Sequence, residues 1–386
     1  MSEQETVLEH RVTPLELFFD LVFAFAFSQV TTLMSDDPTW SGVASALMIL
    51  AALWWAWVGF AWLTNAVDAD EGAVRGAMVL AIAAMFIAAV VVPDAFGDHG
   101  VLFGVAYLIV RVTHVTLYAF AGRGDRDLLT AVVRIAPPTV AAAGLIVIAG
   151  FADGWLRTAL WLTALAIDYA GPVYAGTTGW RVHPGHFAER HALILIIALG
   201  EAFIAIGVGA TGTEITTSIV VTILLGIVVA TSMWLAYFDF FAIRAEGVLA
   251  ARSGADRAAF ARDAFSYLHL PMVAGVVLVA LAMKKTLEHV DEALDAVPAF
   301  GLFGGSALFL LAFVALRARL ARTLSRGRFV TAVVFLLLLP LAMTIPALAA
   351  LALATGIWVA FHAYEFIWWR DARAQTRALR APAAHS

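Results

Sequence analysis

Two carboxylates, Glu16 and Asp20, lie one helical turn apart at the start of an apolar segment long enough to cross a bilayer. A charged side chain inside the hydrocarbon is costly, so it normally marks a partner, a pathway or a buried structural pair. Thr13 and Pro14 complete a capping box with Glu16, which gives that carboxylate a local role at the helix start. Asp20 lies a turn deeper and needs a hydrogen-bond donor or a proton, in a structural contact or in a transport path.

The fourth apolar segment carries a polar stripe at intervals of three or four residues, which predicts a face turned to the bundle interior. Its members are Tyr107, Arg111, His114 and Tyr118. Arg111 lies near the predicted membrane midplane, where an unpaired guanidinium is costly, so we expect a carboxylate partner. The candidate partners are Asp20, Asp168 and Glu201. Such a pair can also be purely architectural, because breaking a buried pair destabilises a protein whatever its function.

The densest polar cluster is segment 183–201, at the start of the seventh apolar segment. Its titratable residues include His183, His186, Glu189 and His191. Their spacing is not typical of a zinc site, so no metal is predicted, and the absence of cysteine excludes thiolate ligands. Glu201 is different, because it lies deep in the apolar segment beside Gly200, where helices pack closely.

The second apolar segment carries a tryptophan cluster and ends in a polar residue, Asn65. The cluster consists of Trp54, Trp55, Trp57 and Trp62. It is not confined to one membrane edge, which favours core packing, with a constriction lined by aromatic rings as the alternative. Asn65 lies close to the cytoplasmic end of its helix, where interfacial solvation is the expected role.

The composition predicts an all-α, polytopic integral membrane helix bundle. Of 386 residues, 62% are hydrophobic and 14% charged, with a mean hydropathy of +0.89. The longest polar stretch, 243–263, is expected to be a loop and is too short for a separate domain. The chain carries no phosphate loop, nucleophile elbow or nucleic-acid footprint. We therefore predict no enzyme activity, no cofactor and no nucleic-acid partner.

Runs of roughly 18 to 25 apolar residues predict the membrane spans. They are 15–34, 41–64, 74–95, 101–121, 128–151, 155–175, 187–208, 215–241, 264–283, 300–316 and 329–369. The last is too long for one crossing. Because Pro340 and Pro346 lie near its middle, we divide it around Met343 and Thr344. The sequence thus predicts about twelve transmembrane helices.

The distribution of arginine and lysine predicts that both termini are cytoplasmic. With the N-terminus inside, most of the 24 basic residues fall in cytoplasmic segments, including those after the last span. The chain is then a single transmembrane domain, 1–386, with polar termini at 1–10 and 371–386. Six helices in each half permit a parallel repeat of 11–176 and 183–369.

Three motifs identify a family. The first is 11–23, the second is the tryptophan-rich helix ending at Asn65, and the third joins 186–193 to Glu201. Together they resemble the bacterial low temperature requirement A (LtrA) family over nearly the whole chain. The motif positions are Arg11, Glu16, Asp20, Asn65, His186, Glu189, Arg190 and Glu201. The resemblance implies a multi-pass protein of the bacterial cytoplasmic (inner) membrane, and the family name records a growth phenotype rather than a reaction.

A looser similarity links Arg11, Asp20 and the tryptophan-bearing second helix to two-times-six-helix potassium channels. Phe19 stands where those channels carry serine, and the spacing from Arg11 is longer, so no pore-lining residue is transferred.

The polar residues within the spans favour a transporter or channel that carries a proton, a cation or a small solute. The expected polar core consists of Asp20, Arg111, His114, Asp168 and Glu201. The alternative is a membrane accessory or stress-adaptation protein without flux, in which the same charges are structural. The lipid bilayer is the one partner that the composition requires, and a homo-oligomer stays open.

Overall fold

The computed structural model describes residues 12–67, 72–239, 241–321 and 323–368. These residues form an all-helical bundle, and across them the only β pairing is an isolated bridge between Ala293 and Pro346. The predicted all-α class is confirmed. The predicted polar termini, 1–10 and 371–386, lie outside the described residues, as does Arg11.

The helices follow one another along the chain with short connections. The first half forms α1 (Pro14–Asp36), α2 (Trp40–Leu63), α3 (Gly72–Val90), α4 (Gly100–Ala121), α5 (Arg126–Ala149) and α6 (Gly154–Ala175). The second half forms α7 (Pro184–Ala210), α8 (Thr217–Phe238), α9 (Phe241–Ala250), α10 (Gly254–Phe260), α11 (His269–Glu288), α12 (Ala296–Ala321), α13 (Arg326–Ala342) and α14 (Ala347–Trp368). A π-helical segment, Ala261–Tyr267, joins α10 to α11.

Within the described ranges, nine helices are long and apolar enough to cross a membrane, counting Gly254–Glu288 as one continuous helix. In a bilayer a helix satisfies its own backbone hydrogen bonds, which makes these helices suitable spans. The other three predicted spans coincide with α3, α6 and α13. The chain is therefore a multi-pass helical membrane protein, and its crossing by all twelve segments stays a prediction.

Two local features of the sequence set helix boundaries. The capping box at the start of α1 is confirmed, because Glu16 N donates to Thr13 Oγ1 at 3.3 Å and Thr13 N donates to Glu16 Oε2 at 2.8 Å. The division of the last apolar run is also confirmed, since α13 ends at Ala342 and α14 begins at Ala347.

The expectation of a loop at 243–263 is wrong, because this stretch is largely helical. It forms most of α9, all of α10 and the start of the π-helical segment. Alanine and arginine, which are frequent in this stretch, have high helix propensity. The helices also bury apolar side chains such as Leu249 and Phe260. A polar sequence can therefore form helices that lie against the bundle.

Neighbour relations among the first six helices recur in the second half. The chain-order pairs α3–α4, α4–α5 and α5–α6 have counterparts in α11–α12, α12–α13 and α13–α14. Likewise α1 packs on α2 and α3, as α7 packs on α8 and α11. The pair α2–α6 corresponds to α8–α14, and α1 packs directly against α7.

Candidate functional site

Arg190 of α7 is the centre of a buried polar network between α1, α2 and α7. Its Nη1 lies 2.6 Å from Glu16 Oε1, and its Nη2 lies 2.7 Å from Asp20 Oδ1. Nη1 also donates to Thr64 Oγ1 at 3.0 Å, at the end of α2. All four side chains are buried. Asp20, for which the sequence suggested Arg111, therefore has Arg190 as its cation.

Further motif residues complete this network. His186, one turn before Arg190 in α7, places Nε2 3.0 Å from Glu16 Oε1. Asn65 Nδ2 lies 2.8 Å from His186 Nδ1, so Asn65 is buried in the network and is not merely solvated at the interface. Trp57 Nε1 donates to Asp20 Oδ1 at 2.8 Å. We call Glu16, Asp20, His186 and Arg190 the arginine layer.

The arginine layer has a formal charge that a proton can balance. Arginine stays protonated in proteins, so two carboxylates face one fixed positive charge. The layer is neutral when it gains one proton. Among the described atoms, Asp20 Oδ2 and Arg190 Nε have no hydrogen-bond partner. The layer therefore keeps one acceptor and one donor for a further group.

A second polar layer lies deeper along the same two helices. Glu201 of α7 is buried and accepts a hydrogen bond from the hydroxyl of Ser28 of α1. The hydroxyl of Thr31 lies near the same carboxylate and donates to Phe27 O at 3.1 Å. The ammonium of Lys284, in α11, attracts this carboxylate. Eleven residues separate Glu201 from Arg190, which is about 16 Å along a helix. We call Glu201, Ser28 and Thr31 the Glu201 layer.

An apolar section of α1 separates the two layers. Positions 16, 20, 23, 27 and 31 recur every three or four residues, so they form one stripe of the helix. Both ends of this stripe contact α7 through the two layers. Phe23 and Phe27, between them, are fully buried, with ring centroids 6.3 Å apart. We call these two residues the phenylalanine stripe.

Besides Glu16–Arg190 and Ser28–Glu201, which are 174 and 173 residues apart, α1 and α7 have three contacting pairs with one shared separation. The contacting pairs are Glu16 with His186, Asp20 with Arg190, and Thr31 with Glu201. The first two pairs are each 170 residues apart in sequence, and the third has the same separation. Pro14 and Pro184, which begin the two helices, also have this separation. Matching positions of α1 and α7 therefore contact each other along the interface.

Arg111 forms a separate ion pair in the first half of the chain. Its Nη2 lies 2.7 Å from Asp168 Oδ1, between α4 and α6, and both side chains are buried. Arg111 Nη1 donates to Trp55 O at 2.8 Å, and Tyr107 OH donates to Asp168 Oδ2 at 3.3 Å. Of the three candidate partners of Arg111, the structure selects Asp168.

The expected polar core is therefore divided among three places. Asp20 belongs to the arginine layer, and Glu201 lies in the second layer. The third place, where α4 meets α6, contains Arg111, His114 and Asp168. The predicted stripe of α4 is buried along its length, as expected. Glu189 is exposed, although it neighbours Arg190 in sequence.

Arg190 is the functional candidate that sequence reasoning left outside the polar core. A signal for it was present, because His186 and Arg190 repeat the four-residue spacing of Glu16 and Asp20 after a helix-starting proline. The tryptophan cluster was predicted to pack in the core, and Trp54 and Trp57 are fully buried. Trp57 also provides a donor to Asp20, which no sequence pattern indicated.

The histidine side chains of segment 183–201 lie in different environments. His183 is exposed, His186 belongs to the arginine layer, and His191 packs on His269 of α11 with ring centroids 5.3 Å apart. In the part of the chain that the structure describes, no three His, Asp or Glu side chains are grouped to hold a metal ion.

The fold and the buried layers define a polytopic helical membrane protein with paired charges inside its bundle. Residues 11–363 match the bacterial low temperature requirement A protein (LtrA) family, and the chain belongs to that family. An uncharacterized protein of Rhizobium meliloti (strain 1021) is 31% identical over 306 residues, covering 76% of this chain and 74% of that protein. No solved structure matches the chain.

Proposed function

We propose that the chain is a transporter or channel of the bacterial inner membrane that carries a proton or small cation along the α1–α7 contact. The observation that carries this proposal is the order of groups on one interface. The arginine layer comes first, the phenylalanine stripe follows, and the Glu201 layer comes last. Two polar stations separated by an apolar section are the elements of a gated pathway.

The chemistry of the layers favours a proton or cation as cargo. Both layers contain buried carboxylates, and the arginine layer has one more acid than fixed cation. A proton or cation that enters the layer would compete with Arg190 for Asp20. Release of Asp20 from Arg190 is the step that we assign to gating.

We further propose that twelve helices cross the membrane as two parallel six-helix repeats. The recurring neighbour relations and the separation of 170 residues that several α1–α7 contacts share support this arrangement. Equivalent residues of two repeats contact each other only close to the axis that relates them. The α1–α7 contact therefore lies on the proposed axis, where a path between the halves would run.

Cytoplasmic termini give this path a direction. Both α1 and α7 then begin at the cytoplasmic side, so the arginine layer lies nearer the cytoplasm and the Glu201 layer nearer the outside.

The alternative, an accessory protein with purely structural charges, explains the paired arginine layer equally well. The accessory role does not explain the Glu201 layer, in which the carboxylate forms no ion pair within the described chain.

Flux through purified protein in liposomes tests the proposal, with a proton-sensitive dye or an electrical readout. Asp20→Asn and Glu201→Gln, which are nearly isosteric, should abolish flux while the protein stays folded. Asp153→Asn is the matched control, because this carboxylate is exposed between α5 and α6. Unchanged flux in both test variants, or no flux of protons or alkali cations in the parent protein, would favour the accessory role.

A further inference from the structure

A cavity separate from the α1–α7 contact lies among α2, α4, α5, α6 and the π-helical segment. It has a volume of about 580 Å³, including the open space at its mouth. Arg111 and His114 lie along one wall, with Thr139 of α5 nearby. Residues after α6 and Arg262 also line the cavity. The cavity is thus an open pocket that reaches the second buried ion pair.

Buried polar atoms of the cavity wall have unused hydrogen-bonding capacity. Arg111 and His114 are only 2% and 4% exposed. Within the described chain, Arg111 Nε has no hydrogen-bond partner, and at least one ring nitrogen of His114 is unused, since the Gly59 backbone is in reach of only one of them. The imidazole packs against the backbone of Gly59, where an added Cβ would lie 3.0 Å from the ring. Buried polar groups of this kind are normally satisfied, so they indicate a ligand that supplies the missing bonds.

The polar lining of the cavity is rich in hydrogen-bond donors. Arg111 and Arg262 contribute positive charge, and no Asp or Glu is among the described residues that line the cavity. Asp168 neutralises Arg111 from behind, and Asp263 pairs with Arg262 at 2.8 Å. The Nε–H of Arg111 therefore remains as a donor toward an acceptor group. A carboxylate is the acceptor that such donors bind best.

Four aromatic rings contribute to the remaining wall. They belong to Trp55, Trp62, Tyr118 and Trp180. Trp180 contacts Trp62 and Tyr118 edge to face, with ring centroids 5.8 Å and 5.1 Å apart. Rigid aromatic walls with a few convergent polar groups are typical of a pocket for a small planar ligand.

We propose that this cavity binds a small organic anion with a planar apolar body, of the aromatic carboxylate class. Its carboxylate accepts from Arg111 Nε and His114, and its ring lies between the tryptophans. With cytoplasmic termini, the lining residues Trp180 and Arg262 lie at the cytoplasmic side of the bundle. The inference stands independently of the ion path, because none of its residues belongs to the arginine or Glu201 layers.

Equilibrium binding to the purified full chain in nanodiscs tests this proposal with benzoate as the probe. Benzyl alcohol and benzylamine have the same ring but a neutral or cationic head. We expect saturable benzoate binding, about tenfold tighter than that of either analogue, because only benzoate offers an anionic acceptor. The comparison uses the unmodified protein, so it does not depend on the folding of any variant.

A variant that fills the cavity locates the site. Ile135→Trp adds a ring at the cavity wall and should weaken benzoate binding at least about tenfold. Val133→Trp is the matched control, since this residue of the same helix is 63% exposed on the outer surface, and it should bind as the parent does. The proposal is overturned by no saturable benzoate binding, by preference for the amine, or by equal affinity in the folded Ile135→Trp variant.

Discussion

Arg190 holds two carboxylates of α1 in a region without bulk water, and its loss should be costly. Arg190→Gln leaves Glu16 and Asp20 without their cation. Removing one partner of a buried ion pair typically lowers stability by about 3–5 kcal/mol. We therefore expect Arg190→Gln to lower the free energy of unfolding by about this amount, measured by denaturant titration in detergent micelles.

Coupling between Arg190 and Asp20 distinguishes a direct pair from general damage. The double variant Asp20→Asn with Arg190→Gln should lower the free energy of unfolding by less than the sum of the decreases in the two single variants. The reason is that neither member of the pair is then left without its partner. Glu189→Gln is the control on the same helix, and it should change stability by no more than about 0.5 kcal/mol because Glu189 is exposed. Strictly additive losses would contradict the pairing.

Residue types and spacing predicted part of this chemistry. The capping role of Glu16 follows from four consecutive residues, and the need of Asp20 for a donor follows from its depth in an apolar segment. The identity of the donor did not follow. Asp20 and Arg190 are 170 residues apart, and only the packing of α7 on α1 brings them together.

At the scale of elements, the π-helical segment links α2 to α11. The backbone carbonyl of Ser266 accepts from Trp54 Nε1 at 2.8 Å, and its hydroxyl accepts from Trp62 Nε1 at 2.9 Å. Pro271, just after the segment, has no backbone N–H, so a regular α-helical hydrogen-bond ladder cannot run through this region. The tryptophans of α2 therefore hold an irregular part of the long helix.

Loss of the Trp54 donor should destabilise the protein measurably. Trp54→Phe removes the donor to a buried carbonyl, which costs about 1–3 kcal/mol when the acceptor is left unsatisfied. Trp40→Phe is the matched control, because Trp40 lies exposed at the start of the same helix. Thermal unfolding of both variants in detergent measures the difference. Equal unfolding temperatures for the two variants would remove the structural role assigned to Trp54.

Hydropathy located the long elements well and the polar ones poorly. All twelve predicted segments coincide with helices, since continuous apolar runs of that length have few alternatives. Stretch 243–263 was missed as helical, because a polar composition at a membrane surface does not distinguish loop from interfacial helix. The π-helical segment was also missed, because Pro271 indicates an interrupted hydrogen-bond ladder but does not specify the form that the interruption takes.

At the scale of the whole molecule, the proposed topology can be tested by labelling single cysteines, because the chain contains none. Twelve crossings place Asp153 and Thr344 outside and Arg181 and Leu324 inside. A membrane-impermeant thiol reagent should therefore label Asp153→Cys and Thr344→Cys in intact spheroplasts. Arg181→Cys and Leu324→Cys should react only after permeabilisation. Labelling of Thr344→Cys and Leu324→Cys from the same side would contradict two crossings by α13 and α14.

The two halves of the molecule meet at the α1–α7 contact. The two layers support the proposed path between the halves, in which the phenylalanine stripe would be the closed section. Sequence patterns suggested a six-plus-six arrangement, but they did not show which helices meet. Which helices share an interface depends on the tertiary packing of segments that lie far apart in the chain.

Flux through a widened stripe tests the path most directly, because a gain of flux does not arise from misfolding. Phe27→Ala removes a fully buried ring between the two layers, whereas Phe25→Ala removes a ring that packs on Phe86 at another face of α1. In proton-flux measurements on liposomes, we expect Phe27→Ala to conduct faster than the parent protein and Phe25→Ala to match it. Equal flux in Phe27→Ala and Phe25→Ala would contradict a path along the α1–α7 contact.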